Sequence, residues 1–196
     1  SDVIVSSAQA INGGCAAFVY HGSSTGITTT VQTQITNGFG SWIVSISVAS
    51  AGDVNGDGYS DIIIGSFYYE NGQNQEGGAF IYHGSAAGIS TTIQTQLEIN
   101  QAYAHFGCSV AGAGDVNGDG YGDVIVGAFW YDNGQSDEGA AFVYHGSSTG
   151  ITTTIRVQLE GNQTLAQMGG SVSSAGDVNG DGYSDAIVGA SNLDAA

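Results

Sequence analysis

Nine residues recur three times at a fixed interval, and this repeat limits the fold more than any other feature of the chain. Asp53 to Asp61 read DVNGDGYSD; Asp115 to Asp123 and Asp177 to Asp185 carry the same pattern, DVNGDGYxD. The first aspartates are 62 residues apart both times. Each copy follows Ala-Gly and runs into an apolar segment, IIIG, VIVG or AIVG. Self-similarity at such a period marks one supersecondary unit stacked on its own copies.

The residue types in the nonapeptide are those of a hard-cation loop. Side-chain oxygens fall at positions 1, 3, 5 and 9: Asp53, Asn55, Asp57 and Asp61, then Asp115, Asn117, Asp119 and Asp123, then Asp177, Asn179, Asp181 and Asp185. Position 7 is Tyr59, Tyr121 or Tyr183, whose backbone carbonyl adds a ligand as position 7 does in an EF-hand. Ca²⁺ takes oxygen ligands in a flexible shell, and a short loop supplies them only by curling around the ion. The glycines at positions 4 and 6 permit the curl. DG and NG are also ordinary turn signals, so a single copy would read equally well as a turn between strands. Three copies with every ligand position intact favour metal, one Ca²⁺ per loop and three in total. An EF-hand places its last carboxylate at position 12 and continues into a helix. Here the last carboxylate is at position 9 and a β-rich run follows, which also rules out a dockerin-like loop.

Between these loops the chain reads as strands. Val3 to Val5, the segment around Phe18 to His21, the Thr-rich run ITTTVQTQI, Trp42 to Val48 and Ile62 to Tyr68 all carry β signals. The same order returns through AFIYHG and ISTTIQTQL, and again through AFVYHG and ITTTIRVQL. Each period holds about four strands with turn signals every ~8–12 residues and no helical pattern, as in an all-β sandwich, barrel or propeller. A repeat of four strands selects a propeller blade or a related array. Ser1 to Val5 match Ser60 to Ile64, so Asp2 is the counterpart of Asp61. The expected division is a single array over 1–196: a partial blade 1–36, blades 37–98 and 99–160, and a partial blade 161–196. The start then supplies second to fourth strands and the end supplies first and second strands. Two chains could therefore complete a blade head to tail, closing a ring or growing a filament.

Charge narrows the partners. Eighteen acids oppose one strong base, Arg156, for a formal charge of −17, and nine of the acids lie in the three loops. Three Ca²⁺ would cancel six of those charges. Nucleic acid needs a basic footprint that this chain lacks, and an anionic membrane surface is disfavoured for the same reason. No apolar run approaches the ~18 residues of a membrane span. Low charge elsewhere, with abundant Ser, Thr, Asn and Gln, points to an extracellular or cell-surface setting, where millimolar calcium suits modules of modest affinity. Cys15 and Cys108 occupy non-equivalent repeat positions and either pair or stay as unlinked buried thiols.

Taken together, these residues resemble the FG-GAP repeats of integrin α-chain N-terminal β-propellers, in particular a bacterial extracellular branch. The best copy is Phe106-Gly107-Cys108-Ser109-Val110-Ala111, the loop, then Val126-Gly127-Ala128-Phe129; FVYHGSSTGIT and YDNGQSDEGAAFVYHGS match as well. The likeness covers essentially the whole chain. Phe-Gly survives only there, becoming Val44-Ser45 and Met168-Gly169 in the other copies, and the proline of GAP is replaced by Phe67, Phe129 and Ser191. The resemblance implies blades of four antiparallel strands, with a Ca²⁺ loop between the first and second. It also implies more blades than this chain holds.

The remaining polar features have plainer readings. His21, His83 and His145 recur in Tyr-His-Gly and read as a repeated structural element rather than metal ligands or catalytic bases, and His105 as a loop residue. No Ser–His–Asp order or carboxylate pair stands out beyond the loops. Tyr68-Tyr69 and Trp130-Tyr131 either cap blade cores or form a sugar-stacking surface. Asn162-Gln163-Thr164 is the one N-glycosylation sequon, and the Thr runs read as strand composition. The function expected is a non-enzymatic extracellular calcium-binding module for adhesion or self-assembly, with a protein partner or its own copies at the blade edges. The alternatives are a lectin-like propeller and the non-catalytic propeller part of an enzyme.

Overall fold

The computed structural model describes residues 2–7, 15–36 and 46–193, which hold fifteen strands and no helix. The first sheet has strands β1 (Val3–Ser7) and β2 (Ala16–Tyr20), a small hairpin of β3 (Gly22–Ser23) and β4 (Gly26–Ile27) beside it, and then β5 (Thr33–Ile35), in the order β1-β2-β5. The second is β6 (Ile46–Gly52), β7 (Asp61–Ser66), β8 (Gly78–Tyr82) and β9 (Thr95–Leu97). The third is β10 (Phe106–Gly114), β11 (Asp123–Ala128), β12 (Ala140–Tyr144) and β13 (Val157–Glu160). The fourth pairs β14 (Met168–Gly176) with β15 (Asp185–Ala190). All pairings within the sheets are antiparallel meanders. This is the all-β, four-stranded blade pattern of a propeller.

Register repeats as faithfully as sequence. Val48 faces Ile64, Val110 faces Val126 and Val172 faces Val188. The register shifts just before Gly52↔Asp61, Gly114↔Asp123 and Gly176↔Asp185, so each nonapeptide loop leaves its strand pair through the same irregularity.

The core lies between sheets rather than inside one. One cluster joins Ile63, Ile81 and Leu97 of the second sheet to Phe106, Val124, Phe142 and Tyr144 of the third. Others join the first sheet to the second and the third to the fourth. Strands β7, β8, β11 and β12 are buried along their whole length. Covered on both faces, they read as continuous apolar runs rather than alternating ones. The sheets approach so closely that a Cβ on Gly65 would run into the carbonyl of Gly107, and one on Gly127 into that of Gly169.

Some strand expectations shift. Of ITTTVQTQI only Thr33–Ile35 pairs as β5; the Thr28 hydroxyl turns to its own chain, donating to Thr30 O, and Gln32 N donates to Val19 O. Hydroxyls that satisfy local backbone groups compete with ladder formation. The strand expected through Tyr68 ends at Ser66, where Tyr69 N donates back to Ser66 O at 3.2 Å. Strand β6 begins at Ile46 and extends to Gly52; Trp42 to Ser45, including the Val44-Ser45 pair, lie outside the described residues. Met168 occupies the place of Phe106, each bridging in parallel to the preceding blade, at Gly139 and Gly77.

His105 does lie in a loop, yet it is 2% exposed. It stacks on Trp130 at 4.3 Å between centroids, with Phe67, Tyr68 and Phe129 around it, and its Nε2 pairs with Gln75 Oε1 at 3.2 Å. Burial disfavours the imidazolium and lowers the pKa from 6.5. A base whose folded pKa is depressed contributes stability that is present above the unfolded pKa and lost as pH falls below it. The melting temperature should therefore drop between about pH 7 and about pH 5. His105→Gln, the residue found one repeat later at Gln167, should flatten that slope. A wild-type slope that survives in the variant would remove His105 as its source.

Candidate metal centre

The three loops fold alike because each is built around the carboxylate at position 1. Asp53 Oδ1 accepts N–H bonds from Gly56 at 2.7 Å and Asp57 at 3.1 Å, and Oδ2 accepts one from Gly58 at 2.8 Å. Asp115 and Asp177 do the same, at 2.7, 3.1 and 2.8 Å and at 2.7, 3.1 and 2.9 Å. The position 3 asparagine Oδ1 accepts from the amide of position 5, and the position 5 aspartate Oδ1 accepts from the amide of position 7. These N–H groups hold Asp177 below the usual carboxylate range, the Gly182 amide foremost. Each loop is thus a curled set of backbone donors that gathers positions 1, 3 and 5.

Position 9 does a second task. Asp61 is fully buried; its Oδ2 accepts from Val54 N and its Oδ1 from Gly84 N, both at 2.8 Å. Asp123 repeats this with Val116 N and Gly146 N, both at 2.9 Å. The aspartate therefore pins the loop to the end of the third strand. Asp2, the counterpart in the first sheet, accepts from Gly22 N at 2.8 Å. Burial raises the pKa of Asp61 and Asp123 against the pull of these amides, and the nearby Asp57 and Asp119 carboxylates add to the rise.

The donors fit a hard cation by chemistry. Every candidate ligand is oxygen, the position 9 carboxylates of the first two loops feel the charge of position 5, and the chain has a single Arg and no Lys. Among the described residues no three His, Cys, Asp or Glu side chains converge as a finished metal cluster. The Tyr59, Tyr121 and Tyr183 positions lie on the same loops.

The histidine of Tyr-His-Gly is a partner that the sequence reading missed. Asn55 Nδ2 lies 3.3 Å from His83 Nδ1, and Asn117 Nδ2 lies 3.0 Å from His145 Nδ1. With the amide donating, each ring accepts through Nδ1 and orients the position 3 asparagine. The constant interval of 28 residues between Asn55 and His83, and between Asn117 and His145, was the available signal. Tyr69 and Tyr131 cap blade cores edge-on to Phe80 and Phe142, while Tyr68 and Trp130 surround His105. No disulfide joins Cys15 to Cys108. The Cys108 thiol meets Gly169 O at 3.5 Å, and burial pushes its pKa up to about 11. Asn162 is exposed.

Two family models match the chain: an FG-GAP-like repeat over residues 53–126 and an FG-GAP repeat over 168–195. The chain belongs to the FG-GAP repeat family. Integrin alpha-4 of Xenopus laevis is 34% identical over 151 residues, which is 74% of this chain and 14% of that protein. Integrin alpha-7 of Rattus norvegicus is 35% identical over 157 residues, 80% of this chain and 13% of that protein. Integrin alpha pat-2 of Caenorhabditis briggsae is 36% identical, over 70% of this chain and 12% of that protein. The chain thus spans a small fraction of these relatives. Among the described residues no helix is long and apolar enough to cross a membrane.

Asp61→Asn should cost stability without any metal, because an amide has one acceptor oxygen for two N–H donors. The expected loss is about 1–3 kcal/mol in denaturant unfolding with chelator present. Asp185→Asn, whose carboxylate meets the Val178 amide and is half-buried, should cost less. Equal losses would refute the pinning role.

Proposed function

We propose that the chain is a non-enzymatic, calcium-stabilised FG-GAP array of an extracellular or cell-surface protein, serving adhesion or structural assembly through a protein partner. One observation carries this reading: the same backbone cage recurs three times around clustered carboxylates in a chain with a single Arg and no Lys. In each loop, side-chain oxygens of positions 1, 3, 5 and 9 with the position 7 carbonyl hold one Ca²⁺. Bound, the ion supplies positive charge at oxygens that backbone amides alone leave unneutralised. The loop between the first two strands is then closed at both ends, by the ion and by the position 9 pin. The blade divisions 37–98 and 99–160, flanked by 1–36 and 161–196, follow the same repeat. The integrin relatives support adhesion as the setting, and the histidines of Tyr-His-Gly serve the loops rather than a reaction.

A ligand that binds only the folded state stabilises it by mass action, about 2.7 kcal/mol at a hundred times its dissociation constant. Calorimetric melting should therefore move up in millimolar calcium and down in chelator, and identical melts would end the calcium reading. Asp57→Ala should remove one equivalent from a calcium titration while the other two loops still fill. An unchanged stoichiometry would take loop 53–61 out of the site.

A further inference from the structure

Consecutive loops touch each other. Gly56 has φ +74°, and its open side is covered by the Tyr121 ring of the next loop, whose Cε1 lies 2.7 Å from where a Cβ would stand. Gly118, at φ +76°, is covered in the same way by Tyr183, again at 2.7 Å. Backbone bonds accompany both contacts: Gly122 N donates to Asp53 O at 2.8 Å, and Ser184 N to Asp115 O at 2.9 Å. A further one runs from Ser147 N to Val54 O at 3.1 Å.

These contacts fall on the two residues that anchor the earlier loop's own cage. Gly56 donates to Asp53 Oδ1, so the following loop grips both partners of that bond. Gly118 and Asp115 are gripped likewise. Loop 177–185 differs, since nothing among the described residues lies within 4 Å of a Cβ on Gly180. Exposure tracks the difference: Val54 is fully buried, while its equivalent Val178 is 71% exposed.

The geometry points to a coupling between consecutive loops in which the position 7 tyrosine of one loop is a positioning residue for calcium in the loop before it. This rests on the calcium reading above. The tyrosine uses its backbone carbonyl toward its own loop and its ring toward the preceding one. A loop that is closed presents the ring and the position 8 amide in fixed positions, which preorganises Asp53 or Asp115 for its ion. Coupling free energies are reciprocal, so filling the earlier loop also favours closure of the later one.

Site-resolved titration tests this on the full chain. The amides of Gly58, Gly120 and Gly182 each donate to the position 1 aspartate of their own loop and report it separately in ¹⁵N-edited NMR. Tyr183→Ala should raise the midpoint of loop 115–123 about fivefold, the low end of typical couplings, and move loop 53–61 far less. Tyr183→Phe keeps the ring and should restore the wild-type midpoint. Tyr183 is 48% exposed, so its removal leaves the core in place; Tyr121→Ala is the parallel test on loop 53–61. A midpoint for loop 115–123 that does not move, or one that moves equally in all three loops, overturns the coupling while leaving calcium binding intact. Loop amides that ignore calcium in the wild type sink the calcium reading itself, and the coupling with it.

Discussion

A carboxylate cut off from water must be met by hydrogen-bond donors, and in this fold that requirement joins loop to blade. Asp61 and Asp123 sit at the start of a fully buried second strand with no exposed surface. Each takes one amide from its own loop and one from the end of the third strand. Losing either donor would leave a buried acceptor unmatched, which costs more than a typical bond contributes. The pairing therefore fixes where the loop closes, where the third strand stops and how the two strands register. Asp2 makes the equivalent bond to Gly22 in the first sheet.

Packing between blades rests on a different constraint, the absence of side chains. Where sheets meet, the Cα of Gly65 or Gly127 stands against a carbonyl of the next blade. Apolar clusters then fill the wedge on either side, with Phe106 edge-on to Phe142 and Tyr144 at its centre. A methyl group at Gly65 would force the second and third sheets apart and open that cluster, and one at Gly127 would do the same between the third and fourth. Because each sheet touches its neighbours along the chain, stability is close to a sum of blades and nearest-neighbour interfaces.

Much of this was legible in the sequence for a reason that also marks its limits. The nonapeptide repeats residue types whose roles are local, so its loop, its curl and its place between two strands could be read directly. Continuous apolar runs such as IIIG and VIVG gave strands buried on both faces. The Thr-rich runs misled because alternation signals a strand, whereas their hydroxyls and amides are satisfied within the turn. His105 reads as a loop residue from sequence; only the surrounding rings of two blades reveal that it is buried. The contacts of His83 with Asn55 and of Tyr121 with Gly56 depend on how strands and blades rotate past each other. Nothing within either residue's own segment encodes that.

The backbone cage and a cation are not interchangeable supports. Amides can satisfy carboxylate lone pairs, and here they do so with nearly the same distances in all three loops. They carry no net charge, however, and burial raises the pKa of Asp61 and Asp123 despite them and despite the nearby His83 and His145. The repulsion from Asp57 and Asp119 then adds to the cost of ionisation. In a chain with one arginine, the proposed ion would neutralise several oxygens from a single point with no side chain to be buried. On the proposed calcium reading the cage sets the shape in advance and leaves an ion little backbone to order. On the same reading that division of labour explains why glycine at positions 4 and 6 and aspartate at positions 1, 5 and 9 recur together in every copy.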